Sequence, residues 1–391
     1  MNPLKKAKNR IKVISLFGVS QILSILSVVL LSLVIVRFKS VELWGEYAEI
    51  LIWSNLFLLF LSFGNNDYLL KTFSEFPSKV NQKWLNNILV RSFLLIPSGI
   101  LIFFTPAFLD IEIDVLLLVL LKFLNQSFKS LIVFNRKFKL NIGVESFFLV
   151  TLLLMVILEI EVLNLKILIQ LIVIALAVKF LTFLYFFIGD FKNTPVNFQF
   201  KELKKSLPFF IPLALGTLRS RVDTYYGALF FNFTLLSKYQ MLISFLALSQ
   251  MASAFFITPY LKNYYRFKNQ KIKDIQKKFF FYGWGFAFFA TLVISIVLNY
   301  LYRFTFSELQ YGLAFLFIAP LFLNILLVNE YYKKNHQLKI AYFTSLILIF
   351  QLFAGYFLIK YWNITGALLL KVLGQWAIVV LLWFWIKKTK N

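Results

Sequence analysis

Twelve apolar stretches, each of about the length that crosses a bilayer, occupy most of this chain. They run approximately over residues 13–36, 44–63, 91–109, 114–133, 143–160, 165–188, 208–232, 238–260, 279–301, 310–332, 339–359 and 364–386. A helix needs roughly 17–25 such residues to cross the hydrocarbon core. The pattern predicts an all-α polytopic membrane protein with twelve transmembrane helices. Composition agrees, since 60% of the 391 residues are hydrophobic where soluble domains sit near 45–50%. Cysteine is absent, which removes disulfides, thiolate metal sites and thiol chemistry. The single histidine, His336, sits in a basic loop and reads as solvated rather than catalytic or metal-bound. The first apolar stretch is too long for a signal peptide and no small-residue cleavage pattern follows, so it reads as a retained span.

The net charge of +24 would point to nucleic acid in a soluble protein. Here the positive-inside rule explains it. Assigned to alternate sides of the twelve spans, 29 Lys and Arg fall on one side and six on the other. The rich side holds the N-terminus, the loops after even-numbered spans and the C-terminal tail. The poor side holds Arg37, Lys39, Lys166, Lys238, Arg303 and Lys360, and two of its loops are acidic, at 110–114 and 159–161. Both termini are therefore expected in the cytoplasm.

Six cations remain inside the spans: Lys122, Lys129, Lys179, Arg219, Arg221 and Lys371. The carboxylates set against them are Asp223 and, near a span end, Glu145. Charges at membrane depth usually face a protein interior or a wet cavity. The stretch Leu207–Tyr226 concentrates the problem, with Arg219, Arg221 and Asp223 within five residues. Arg219 and Asp223 share a helix face and are placed to pair; Arg221 points elsewhere and lacks a local partner. Lys122, Gln126 and Lys129 fall at i, i+4 and i+7 with Asn125 beside them, and Lys371 and Gln375 are four apart. These positions predict a cationic cavity whose ligand is an anion, with Asn125, Gln126 and Gln375 available to sugar hydroxyls. Asp223 and Glu145 are left for ion coupling or pairing. For Lys129 and Lys179 the competing reading is a side chain that snorkels to the headgroups.

Proline interrupts several spans, with Pro208 and Pro212 opening the seventh, Pro259 ending the eighth and Pro320 inside the tenth. A weak duplication appears at an offset of 192: Leu43–Tyr47 falls on Leu235–Tyr239, and Tyr68-Leu69 on Tyr260-Leu261. It divides the chain into a six-helix lobe over 1–188, a cytoplasmic linker over 189–207 and a second six-helix lobe over 208–391. Tandem halves flanking a midplane site are a recurring transporter plan.

Leu43-Trp44-Gly45-Glu46-Tyr47 and Phe63-Gly64 resemble the turn after the first helix and the element closing the second helix in the polysaccharide-transport branch of the MATE-like MOP superfamily. The run from Ser206 to Leu215, followed by Asp223, is similar to the start of the second half in its Wzx-type O-antigen flippases. The resemblance implies two six-helix lobes in a V, alternating access, and a lipid-linked oligosaccharide as cargo in a bacterial inner membrane. It also implies that cationic lumen residues meet the cargo diphosphate.

Three functions are weighed. The first is a flippase for undecaprenyl-diphosphate-linked repeat units in O-antigen or capsule synthesis, working beside a polymerase and glycosyltransferases; Arg and Lys in a cavity replace the hydration of the diphosphate. The second is a MATE-type cation or drug exporter, which needs buried acids that this chain largely lacks. The third is a polytopic lipid-linked-sugar transferase, disfavoured by short outer loops and the absence of paired carboxylates. No phosphate-cradling Gly-rich loop is present. The reading is thus not an enzyme, with no cofactor, metal or nucleic acid, and with membrane lipids as its surroundings. Because the chain carries no cysteine of its own, topology is testable with single replacements. Lys137→Cys is expected to react with an impermeant maleimide only after the membrane is opened, and Glu159→Cys in intact cells; the reverse pattern refutes the topology.

Overall fold

The computed structural model describes residues 3–191, 195, 198, 200–257, 264, 269–334 and 336–388. Lys192, Lys262, Arg266, Lys268 and Lys390 of the inner basic set, Pro259, and the repeat residues Tyr260-Leu261 lie outside the described residues. No strand occurs among the described residues. The chain separates into two compact units, Met1–Ala214 and Leu215–Asn391.

The first unit holds α1 (Pro3–Phe38), α2 (Val41–Ser62), α3 (Asn65–Glu75), α4 (Val80–Ser92), α5 (Leu95–Phe103), α6 (Glu112–Phe134), α7 (Phe138–Leu158) and α8 (Leu165–Phe191). The boundary falls within α9 (Lys201–Phe230). The second unit continues with α10 (Phe233–Ile257), α11 (Asn269–Ile296), α12 (Glu308–Ile318), α13 (Leu321–Lys333) and α14 (Gln337–Lys388). Asn363 breaks α14 into two segments, with φ 47° and ψ −128°.

The twelve apolar stretches fall largely on helices over their described residues. Ten helical stretches among the described residues are long and apolar enough to cross a membrane. That count takes the kinked α14 once and leaves out α9, which carries Arg219, Arg221 and Asp223. The stretch expected at 91–109 is instead part of a broken helix, α4–α5, that begins at Val80. Val80, Trp84 and Val90 are buried there, so packing extends the helix backwards past the last polar residues.

Local sequence accounts for the helix ends. Ser40 Oγ accepts from the Leu43 N–H at 3.0 Å, and Asn232 Oδ1 accepts from the Leu235 N–H at 2.8 Å. Such side chains satisfy amides that a helix start leaves without partners. The two caps are 192 residues apart, as are the helix starts Val41 and Phe233, so the sequence repeat is also a repeat of helix beginnings. At its other end α2 stops through two left-handed residues, Phe63 (φ 42°) and Gly64 (φ 70°). A Cβ on Gly64 would lie 2.6 Å from the backbone nitrogen of Phe210 in α9. The Phe210 ring stacks on Phe63 with centroids 4.4 Å apart. Only glycine permits both the backbone angle and this approach.

In the second unit Pro320 separates α12 from α13. Proline has no N–H for the carbonyl four residues back, which is that of Leu316. The Trp376 Nε1–H donates to the Leu316 carbonyl at 2.9 Å and so fills the lost bond from α14. A membrane interior tolerates broken helices where a neighbour supplies the missing partner in this way. The core of this unit gathers Leu323, Leu327, Tyr331, Phe343, Ile347, Ile378, Val379 and Leu382. In the first unit Phe73, Trp84, Phe128, Leu131, Phe183 and Phe187 do the same across four helices.

Gly64→Ala is expected to destabilise the chain by about 1–3 kcal/mol, in the range of backbone-strain substitutions. Gly143→Ala, where an added Cβ meets nothing within 4 Å, should be close to neutral. Thermal unfolding in detergent reads both, and equal melting of the two variants would refute the account.

Candidate functional site: a buried charge cluster on α9

The cluster is built around Asp223, which is 1% exposed on α9. Lys371, on the second segment of α14, places its ammonium 3.1 Å from Asp223 Oδ1 and 3.0 Å from Oδ2. The same ammonium donates to the Ser220 carbonyl at 3.0 Å. The Tyr239 hydroxyl of α10 donates to Asp223 Oδ2, and Thr224 Oγ1 donates to that oxygen at 3.3 Å. Phe317 of α12 presents its ring 5.8 Å from the ammonium. Three helices, α9, α10 and α14, are thereby tied to one carboxylate, and α12 meets its counter-ion. A buried charge pair survives desolvation only with good geometry and satisfied lone pairs, and this one has both.

This arrangement corrects the pairing expected from sequence. Arg219 is one turn from Asp223 yet does not bond it; its Nη1 donates to the Gly374 carbonyl at 3.4 Å. Its Nε is buried with no partner among the described residues. Two amides lie close by in the chain's contacts. Gln351, 3% exposed, donates through Nε2 to the Leu370 carbonyl at 3.3 Å, and that Nε2 fills the space a Cβ on Gly374 would take. Its Oε1 and the Nε2 of Gln375 are buried without partners among the described residues. Each such atom costs about 1–3 kcal/mol when nothing answers it. Arg219 and Gln351 therefore both reach Gly374, each with hydrogen-bonding capacity to spare. Arg221 is exposed two residues further along α9.

The first unit places the remaining residues differently. Lys179 Nζ lies 2.7 Å from Glu145 Oε1, with both side chains largely buried, and 4.8 Å from the Phe148 ring centroid. It is a paired charge rather than a snorkelling one, and Glu145 is its counter-ion. Lys122 is half-buried, while Gln126 and Lys129 are exposed. Asn125 is buried and bridges helices, its Nδ2 donating to the carbonyls of Leu121 at 2.9 Å and Leu176 at 3.0 Å.

Several charges escaped the sequence count. Arg91 opens the 91–109 stretch and is counted among the 29 inner-side cations rather than the six in the spans, yet it is 2% exposed inside the α4–α5 span. Its Nε donates to Asn87 Oδ1 at 2.8 Å, its Nη1 to the Leu61 and Ser62 carbonyls at 3.2 and 3.5 Å, and its Nη2 to Ser127 Oγ at 3.1 Å. The cation answers carbonyls that the end of α2 leaves free, where the helix dipole also favours positive charge. Glu46 and Glu49, half-buried in α2, also lie inside a span and were omitted. So was Glu330, 1% exposed, bonded by Gln276 Nε2 at 2.7 Å and Lys334 at 2.9 Å. The charge surplus within the spans is therefore smaller than the sequence count, and specific placement has to carry the argument. Tyr264 and Gln276, which complete the Glu330 group, gave no signal in sequence because they come from other helices.

Glu145→Gln strands a buried ammonium and is expected to cost about 3 kcal/mol. The double variant Glu145→Gln with Lys179→Met should recover most of that loss. Thermal unfolding of the single and double variants gives the coupling, and additive losses would show that the pair does not act as one.

No protein-family model matches the chain, and no curated protein sequence matches it. Solved structures do match. The fold aligns with the lipid II flippase MurJ in an inward closed conformation over 95% of this chain and 87% of that one, with TM-score 0.68 and 14% identity. It aligns with an outward-facing multidrug resistance MATE family transporter of the MOP superfamily over 98% of this chain and 95% of that one, with TM-score 0.57 and 10% identity. The chain is a multi-pass, all-α membrane protein whose fold is that of the MurJ flippase and the MATE transporters.

Proposed function

We propose that this protein is a flippase for a lipid-linked oligosaccharide, moving an undecaprenyl-diphosphate-linked repeat unit across the inner membrane for O-antigen or capsular polysaccharide synthesis. Alternating access of two six-helix lobes, divided by the linker 189–207 and with both termini cytoplasmic, is the mode of transport. The observation that carries the reading is the Arg219 guanidinium: it lies inside a span, its Nε is buried and unpartnered, and the adjacent carboxylate belongs to Lys371 instead. A guanidinium with donors to spare suits a diphosphate, which it can meet bidentately. Arg221 extends the cationic face, and Lys122 and Lys129 supply further positive charge along the cargo's route. Gln375 and Gln126 offer amides to sugar hydroxyls; Asn125, bonded to two carbonyls, has its Oδ1 left for that role. A structural neighbour named as a lipid II flippase makes a polyprenyl-diphosphate cargo consistent with the fold.

The multidrug exporter reading draws on the other neighbour, but the residues favour it less. A cationic drug is best met by a free buried carboxylate, whereas Asp223, Glu145 and Glu330 each hold a lysine at hydrogen-bond distance and Glu46 and Glu49 are only half-buried. A polymerase and glycosyltransferases would be partners in sequence rather than parts of this site.

Arg219→Gln and Arg221→Gln are expected to lower surface glycan at least ~10-fold, the worth of one charge-assisted hydrogen bond, with the protein still present in the membrane. Unchanged glycan in both variants, together with raised drug susceptibility in a pump-deficient strain lacking the protein, would replace this reading with the exporter.

A further inference from the structure

We infer that Asp223 and Lys371 form a proton-coupled switch, in which an anionic cargo group takes Lys371 and Asp223 takes a proton in exchange. This rests on the flippase reading and specifies how the cargo's charge is coupled to an ion.

The two ends of the pair differ in reach. The Lys371 side chain is 12% exposed and that of Asp223 is 2% exposed. An incoming phosphate oxygen thus meets the ammonium before the carboxylate. When the ammonium turns to the phosphate, it remains protonated and gains a stronger, multivalent anion. Asp223 then retains only neutral donors, the hydroxyls of Tyr239 and Thr224. Arg219, on the same helix, is engaged with the Gly374 carbonyl, and Arg221 is exposed. α12 contributes an uncharged ring, that of Phe317. A carboxylate so enclosed is neutralised rather than left charged and unpaired. The balance is one proton from water to Asp223 for each anion bound at Lys371, with no bond broken in the cargo. When the anion leaves, Lys371 returns and the proton is released.

A second observation marks the pair as part of the architecture. Lys179 and Lys371 are 192 residues apart, the offset of the repeat, and each has a buried carboxylate at hydrogen-bond distance, Glu145 at 2.7 Å and Asp223 at 3.0 Å. Lysine at this place therefore comes with an acid in both halves, although the two acids stand on non-equivalent helices.

The test uses the full-length protein in detergent or nanodiscs with farnesyl diphosphate as probe. Calorimetry in buffers of different ionisation enthalpy counts protons taken up on binding. Infrared difference spectra then show whether a carboxyl group becomes protonated, and isotope-labelled aspartate assigns it. Asp223 is the buried member among the described aspartates, so the assignment holds even where Asp223→Asn fails to fold. Proton uptake with a carboxyl band that moves on aspartate labelling supports the switch. Binding without that band overturns the switch and leaves the flippase reading standing. Absence of binding to the unaltered protein overturns both.

Discussion

The interaction on which the rest of this structure depends is the pairing of charge inside apolar helices. A carboxylate or ammonium taken out of water loses several kcal/mol of hydration, and a chain with this many in-span ions folds only if each finds an answer. Asp223 and Lys371 answer each other and in doing so fix α9, α10 and α14 together. Lys179 and Glu145 do the same for α7 and α8. These pairs serve packing first, and whatever transport chemistry the protein performs is constrained by them.

The backbone obeys the same rule. Where a helix ends or breaks at membrane depth, its carbonyls cannot turn to water. Arg91 supplies donors at the end of α2, and Trp376 supplies one at the Pro320 break. Arg91 shows that an in-span cation need not belong to a ligand site. Its guanidinium is consumed by four acceptors from the protein itself. Arg219, with a buried nitrogen to spare, is chemically different although both are arginines inside spans.

That contrast narrows the functional question. Of the six cations drawn from the sequence, Lys179 and Lys371 are neutralised in place, and Lys129 and Arg221 are exposed. Arg219 is the one whose geometry leaves an obligation unmet beside buried amides. On the proposed flippase reading, an anionic group on the cargo would be recognised by this arrangement rather than by a bulk positive field. Affinity would then come from a few directed donors, and the lysine pairs would act as reserves of charge that a stronger anion can draw upon.

Sequence by itself determined the helices, because the length of an apolar stretch is a local property and the bilayer sets it. It also showed the repeat: Leu43–Tyr47 and Leu235–Tyr239 stand at the spacing at which the structure then places the caps Ser40 and Asn232. Phe63-Gly64 was legible as an element resembling the close of a second helix, but the left-handed turn and the Phe210 backbone that make Gly64 irreplaceable were not. Tertiary structure alone decided the partners. Asp223 lies four residues from Arg219 and 148 from Lys371, and local spacing favoured the nearer cation. The fold chose the distant one, because a buried carboxylate is satisfied by whichever ammonium the packing of neighbouring helices delivers, and that delivery is written in no single stretch of the chain.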